Sequence, residues 1–265
     1  MKKFLITNEE LKAKLAVANG VDYIFVDMET LGKEERQSGR GAVFNKHNIN
    51  DVKNITSCVP QQNSLIRVNP INPNSEKEIQ DVLAFKPGHI MLPFFKEKEE
   101  LELFSKLTKN KTSRYLLVET IEALELLPRA QSLDLYDKLH LGLNDLSIEM
   151  GYKCIFKVLF DERFLAAVSF LNSQSIPFGI GGAGKLDGDH QIPAEMLLTH
   201  YTHLGSQAVI LSRAFNTPEI WTDVDQGIKK ELTFFDAFIK NLNCLSNSDF
   251  KKNEENLQSL LENFS

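Results

Sequence analysis

The sequence predicts an α/β fold of the (β/α)8 TIM-barrel type, and three observations carry that reading. Short β-rich runs recur eight times along the 265 residues, and most are followed by a stretch whose apolar residues repeat near every 3.6 positions. The runs are almost continuously apolar, as strands covered on both faces by helices are. Eight strand–helix units in a chain of this length suit a closed barrel of about 250 residues. A doubly wound open sheet is the competing arrangement, because strand order is not written in one sequence.

Taken in order, the predicted strands are "KKFLIT" at 2–7, "YIFVDME" at 23–29, "SLIRVNP" at 64–70, "HIMLPF" at 89–94, "RYLLVET" at 114–120, "KLHLGLND" at 138–145, "PFGIGGAG" at 177–184 and "AVILSRAF" at 208–215. Between them lie helical stretches such as "EELKAKLAVANG", "EKEIQDVLAFKPG", "EELELFSKLTKN" and "IEALELLPRAQSL", several closed by Gly or Asn. Residues 216–242 and 248–264 read as two further helices, a C-terminal extension spanning 216–265. In the second, Leu257, Leu260, Leu261 and Phe264 make an apolar stripe behind cap candidates in "SNS". That stripe packs on its own chain, closes the barrel bottom or docks on a neighbouring subunit. With no internal repeat, low-complexity segment or Pro/Gly/Ser-rich linker, residues 1–265 read as one domain. The longest non-periodic stretch, 30–48, follows the second strand, and loops of that length in compact domains commonly serve function.

Composition narrows the partners. Hydrophobic residues make up 42% and charged residues 25%, with a formal net charge of −6, which disfavours nucleic acid and anionic membrane surfaces that call for clustered Lys and Arg. Small solutes are the better expectation. Cys58, Cys154 and Cys244 are far apart and odd in number, so reduced thiols of a cytoplasmic protein are expected in place of a disulfide framework or zinc knuckle. The N-terminal "MKKFLITNEELKAK" has too few apolar residues for a signal-peptide core, and no apolar run approaches the ~20 residues of a membrane helix.

In a barrel, side chains at the C-terminal ends of strands point into the active-site mouth. Read in order, those ends carry Asp27 and Glu29, Arg67 and Asn69, Glu119, then Asn144 and Asp145. Carboxylates crowded at one mouth repel unless a cation joins them, and a hard divalent ion with oxygen ligands is one remedy. Glu119 and Asp145 close consecutive strands; with waters and a chelating substrate they would complete an octahedron for Mg²⁺ or Mn²⁺, and Arg67 could hold an anionic oxygen beside it. The alternative is that both acids merely cap the helices "TIEALELL" and "LSIEM".

The motifs "LLVETIEAL" and "LGLNDLSIEMGY", with "YIFVDME", "LIRVNP" and "IMLPFF" upstream, resemble the HpcH/HpaI aldolase and citrate lyase β-subunit superfamily of metal-dependent pyruvate-type barrels. The resemblance runs from about residue 20 to 155 and continues more weakly to 208–215. It implies a divalent-metal-dependent carbon–carbon lyase or aldolase acting on a 2-oxo acid through a metal-bound enolate, with an aldehyde or acyl-CoA as partner. It implies metal ligation by Glu119 and Asp145, contact of Arg67 with the keto or enolate oxygen, and reception of the substrate carboxylate around Gly142, Leu143 and Asn144. Trimers or hexamers are what it implies for assembly.

Departures from the family pattern leave the general base unassigned. After the second strand this chain has Asp27, Met28, Glu29 and Thr30 where the branches carry D-x-E-H or D-L-E-D, and Leu117 stands where the aldolase branch has glutamine. Glu29 is kept as a substrate-binding candidate. His47 is a candidate catalytic residue, and Lys33 and Arg36 of the same loop could meet a phosphate or second carboxylate on the substrate. The missing base also motivates another class: a barrel that binds a metabolite without turnover.

Two signals mislead. "GIGGAGK" at 179–185 satisfies glycine-rich nucleotide patterns, but Leu186 replaces the Ser or Thr that would touch Mg²⁺ and the next helix is delayed; backbone approach to an anion, or tight turning alone, are the remaining uses. His200 and His203 lie at i, i+3, not the H-E-x-x-H spacing, and read as packing or surface residues, while His89 and His140 read as hydrogen-bonded core residues.

Overall fold

All eight apolar runs form strands, and they close on themselves in sequence order. The computed structural model describes residues 1–32, 47–132, 134–188 and 190–264. Strands β1 (Lys2–Ile6), β2 (Tyr23–Asp27), β3 (Ser64–Arg67), β4 (His89–Leu92), β5 (Ser113–Val118), β6 (Lys138–Leu141), β7 (Phe178–Ala183) and β8 (Ala208–Leu211) make a closed barrel. Every neighbouring pair is parallel, including the closing pair of β1 with β8. The open-sheet alternative is thereby excluded.

Successive strand residues face opposite ways, so each apolar run feeds two cores. Inside the barrel, Phe4, Tyr23, Phe25, Leu65, Met91, Tyr115, Leu117 and Ala208 pack on one another. The intervening residues, such as Ile24, Ile66, Ile90, Leu116 and Leu139, are wholly buried against the helices. The lower interior is partly polar. His89 Nε2 is 3.2 Å from the Gln62 carbonyl, His140 Nε2 is 2.8 Å from the Gly181 carbonyl, and Lys138 donates to the Tyr23 hydroxyl at 3.0 Å. Both histidines are thus the hydrogen-bonded core residues expected.

The helices are α1 (Glu10–Ala18), α2 (Ile49–Cys58), α3 (Ser75–Leu83), α4 (Lys98–Thr108), α5 (Ile121–Ser132), α6 (Leu143–Glu149), α7 (Glu162–Ser173) and α8 (Ala194–His203), followed by α9 (Pro218–Thr222), α10 (Ile228–Leu242) and α11 (Asn247–Glu262). The single helix expected over 216–242 is two. Asp223 leaves helical geometry, its Oδ1 accepts the amides of Asp225 and Gln226 at 3.0 and 3.1 Å, and Gly227 lies so close to the Ile220 carbonyl that an added Cβ would stand 2.0 Å from that oxygen. Helix α11 begins at a capping box of Ser246 and Asp249 and buries Leu257 and Leu261 on its own chain, where Asn253 Nδ2 donates to the Met196 carbonyl at 3.0 Å. Cys58, Cys154 and Cys244 are free thiols. Among the described residues no helix is long and apolar enough to cross a membrane.

Candidate active site

The inward rows of β2, β3 and β5 run past their last apolar layer into charge. Phe25, Leu65 and Leu117 belong to the inner core, and the residues two further on, Asp27, Arg67 and Glu119, follow the same face to the mouth. Asp27 and Arg67 are register partners, which sets the guanidinium over the carboxylate. Arg67 Nε donates to Asp27 Oδ1 at 2.9 Å and Nη2 lies 3.2 Å from Glu29 Oε2. The arginine side chain is 11% exposed and the two acids 1% and 2%. Burial depresses the Arg67 pKa, but the charges of Asp27, Glu29 and Glu119 outweigh it and the net shift is upward, so the group stays a cation. Glu29, expected to bind substrate, spends an oxygen on orienting Arg67.

Glu119 and Asp145 are both buried, at 3% and 6% exposure. The structure corrects the path between the strands: β6 ends at Leu141, Gly142 is the N-cap residue of α6, and Asn144 and Asp145 lie in its first turn and not at a strand end. Gly142 lies in close approach to Glu119. A Cβ there would stand 3.1 Å from both Cβ and Oε2 of Glu119, so the carboxylate rests directly over the backbone that leads to Asp145. The Gly142 amide donates to the Val118 carbonyl at 2.8 Å. The capping alternative fares differently for the two acids. Asp145 does occupy a first helical turn, but α5 is capped by Thr120, whose Oγ accepts the Ala123 amide at 3.1 Å, and by Glu149, which accepts the Ile121 amide at 2.8 Å. Glu119 is not the cap.

His47 comes to the same mouth from the end of the long loop. Its Nδ1 accepts the Asp27 amide at 3.0 Å, so the neutral ring carries its proton on Nε2. No local pattern in the sequence announces this contact across twenty residues. Asn69 turns away: its Oδ1 accepts the amides of Thr30 and Leu31 at 2.9 and 3.0 Å while its Nδ2 donates to Glu78 at 2.9 Å, which anchors the start of that loop to α3. Lys33 and Arg36 lie outside the described residues.

The donor chemistry fits a hard divalent ion, since both buried acids offer only oxygen. Among the described residues no group of three or more His, Cys, Asp or Glu could hold a metal, so an ion here would rely on those two carboxylates with water and substrate oxygens. Three glycines of "GIGGAGK" serve packing: an added Cβ would stand 2.3 Å from His140 Nδ1 at Gly179, 2.7 Å from Leu143 at Gly181 and 2.3 Å from His190 Nε2 at Gly184. His200 is buried at 1% and stacks on Phe160 at 5.0 Å between ring centroids, the packing role expected of it.

No protein-family model matches the sequence, and no curated protein matches it. Solved structures do. RipC from Yersinia pestis is 14% identical with a TM-score of 0.58, covering 94% of this chain and 97% of that one. An HpcH/HpaI aldolase from Desulfitobacterium hafniense DCB-2 is 13% identical with a TM-score of 0.57, over 93% and 94%. The citrate synthase SbnG is 14% identical with a TM-score of 0.58, over 85% and 91%. At such identities the likeness is one of fold, and it agrees with the motif resemblance: this chain has the barrel architecture found in HpcH/HpaI aldolase and citrate lyase family proteins.

Proposed function

We propose that the protein is a divalent-metal-dependent carbon–carbon lyase or aldolase acting on a 2-oxo acid. The observation that carries this reading is the placement of Glu119: buried, not engaged in capping α5, and lying over Gly142 at the entry to the helix that holds Asp145. A bound Mg²⁺ or Mn²⁺ held by Glu119 and Asp145 would supply Lewis acidity toward the carboxylate and keto oxygens of the substrate.

The chain's own groups supply the rest. In the cleavage direction solvent water at the mouth takes the proton from the hydroxyl on C4 of a 4-hydroxy-2-oxo acid, the C3–C4 bond breaks to release an aldehyde, and the electron pair passes to C3 as the enolate of pyruvate, which takes a proton back from solvent. Arg67 stabilises the developing oxyanion. Its Nε and Nη2 are committed to Asp27 and Glu29, and Nη1 is the nitrogen directed to substrate. The first-turn backbone at Leu143 and Asn144 receives the substrate carboxylate, while the Gly142 amide is already committed to Val118. His47, with its proton on Nε2, is a donor at the mouth and not a ready base. That occupied Nδ1 is the observation favouring the second reading, a barrel that binds a 2-oxo acid without turnover.

Exchange of the pyruvate methyl protons for solvent deuterium in the presence of Mg²⁺, followed by NMR, separates the two. Exchange that disappears in Glu119→Gln and Asp145→Asn, together with loss of calorimetric Mg²⁺ binding, is the expected result. Wild-type protein that binds pyruvate without exchanging it leaves the binding reading, and unchanged Mg²⁺ affinity in both variants removes the metal site.

A further inference from the structure

The mouth carries a second feature that the carboxylates do not use. A cavity of about 700 Å³ opens over β7 and β8, within the size range of small-molecule sites. Its floor is Gly182 and Ser212. Gly182 is the register partner of Ile210, which packs on the inner core, so this floor belongs to the inward rows of β7 and β8 and faces the same end of the barrel as Glu119. One wall, Ile155 and Phe156, follows the helix that carries Asp145; the opposite wall is Ile192 and Leu197. Phe264, beyond α11, closes part of the rim.

Two properties set the chemistry. The lining is mostly apolar, with Ile155, Phe156, Ile192, Leu197 and Phe264 set beside the polar side chains of Lys153, His190, Gln191 and Ser212, so its larger part favours an apolar group. Of the lining glycines in "GIGGAGK", Gly184 has its open side filled by the His190 ring, where an added Cβ would stand 2.3 Å from Nε2.

We infer that this cavity is the subsite for the electrophilic partner of the proposed reaction, and that the partner is an aldehyde bearing an extended apolar chain or ring. This rests on the lyase reading above; the aldehyde carbon would sit toward Glu119 and Asp145, with its apolar substituent lying over Gly182 between Ile155 and Leu197.

Straight-chain alcohols probe the cavity without any chemistry. Calorimetric affinity for 1-butanol, 1-hexanol and 1-octanol is expected to rise about three- to four-fold per methylene, as burial of each CH₂ dictates. Ile155→Trp, on a half-buried wall position that tolerates bulk, is expected to abolish the increase, and Ala194→Trp checks it from the other side. Alcohol affinity that is flat with length, or unchanged in both variants, overturns the cavity as an apolar subsite. In aldol addition to pyruvate, kcat/KM should climb from acetaldehyde to octanal in wild type and stay flat in Ile155→Trp, with pyruvate methyl exchange intact in both. Exchange with no chain-length preference overturns this inference alone. Alcohol binding without any exchange defeats the lyase reading, and the assignment of the cavity to its second substrate with it.

Discussion

Replacing His200 by phenylalanine should remove about 2 kcal/mol of the protein's acid sensitivity. Both ring nitrogens of His200 are buried without a hydrogen-bond partner among the described residues, and the ring lies between Phe160 at 5.0 Å and His203 at 6.4 Å. Burial, with a smaller contribution from the charge of His203, lowers its pKa to about 4 from 6.5. In the unfolded chain the imidazole takes a proton as pH falls below 6.5, whereas the folded one declines it until about 4. The unfolded state thus binds more protons across that window, and stability contributed above pH 6.5 is lost as pH falls toward 4. At pH 4.5 the mismatch spans two pKa units, about 2–3 kcal/mol at 1.36 per unit before saturation near the folded pKa trims it to about 2. A phenylalanine keeps the stack on Phe160 and has nothing to protonate, so at pH 7 the change should be neutral or favourable by under about 1 kcal/mol. Urea unfolding of both proteins at pH 7 and pH 4.5 is the assay. His89 and His140 are lowered in the same direction by burial, so the variant should keep a reduced acid sensitivity. Equal losses between the two pH values in wild type and variant would refute the reasoning, because then His200 does not carry the linkage.

Gly142→Ala should separate site geometry from folding. The added methyl, 3.1 Å from Glu119 Oε2, displaces that carboxylate by a few tenths of an ångström, so Mg²⁺ affinity should fall while thermal stability changes little; an unaltered calorimetric isotherm would contradict it. Arg67→Met leaves Asp27 and Glu29 buried beside a neutral group, a loss of about 3–5 kcal/mol in urea unfolding. A variant as stable as wild type would show that the two acids do not depend on Arg67.

The strands were legible because a strand of a barrel is a local object: a run of apolar residues long enough to serve an inner and an outer core announces itself. Alternation within those runs also points to Asp27, Arg67 and Glu119 as the residues that emerge at the mouth, since each stands two positions beyond an inward apolar residue. Closure was legible only through the number of strand–helix units, because the pairing of β1 with β8 is itself a contact between chain ends. For Asp145 the boundary was misplaced: the strand stops at Leu141 and the helix starts at Leu143, while the close approach of Gly142 to Glu119, just beyond β5, joins segments distant in sequence.

Glu149 on the Ile121 amide and His47 on the Asp27 amide are likewise contacts between segments distant in sequence. The sequence alone therefore determined the order of strands and helices and the chemical character of the mouth, both of which follow from periodicity and side-chain type. The tertiary structure decided which acid lies against which backbone, which groups orient the arginine, and where an apolar cavity opens beside them, because those depend on distances that only the closed barrel sets.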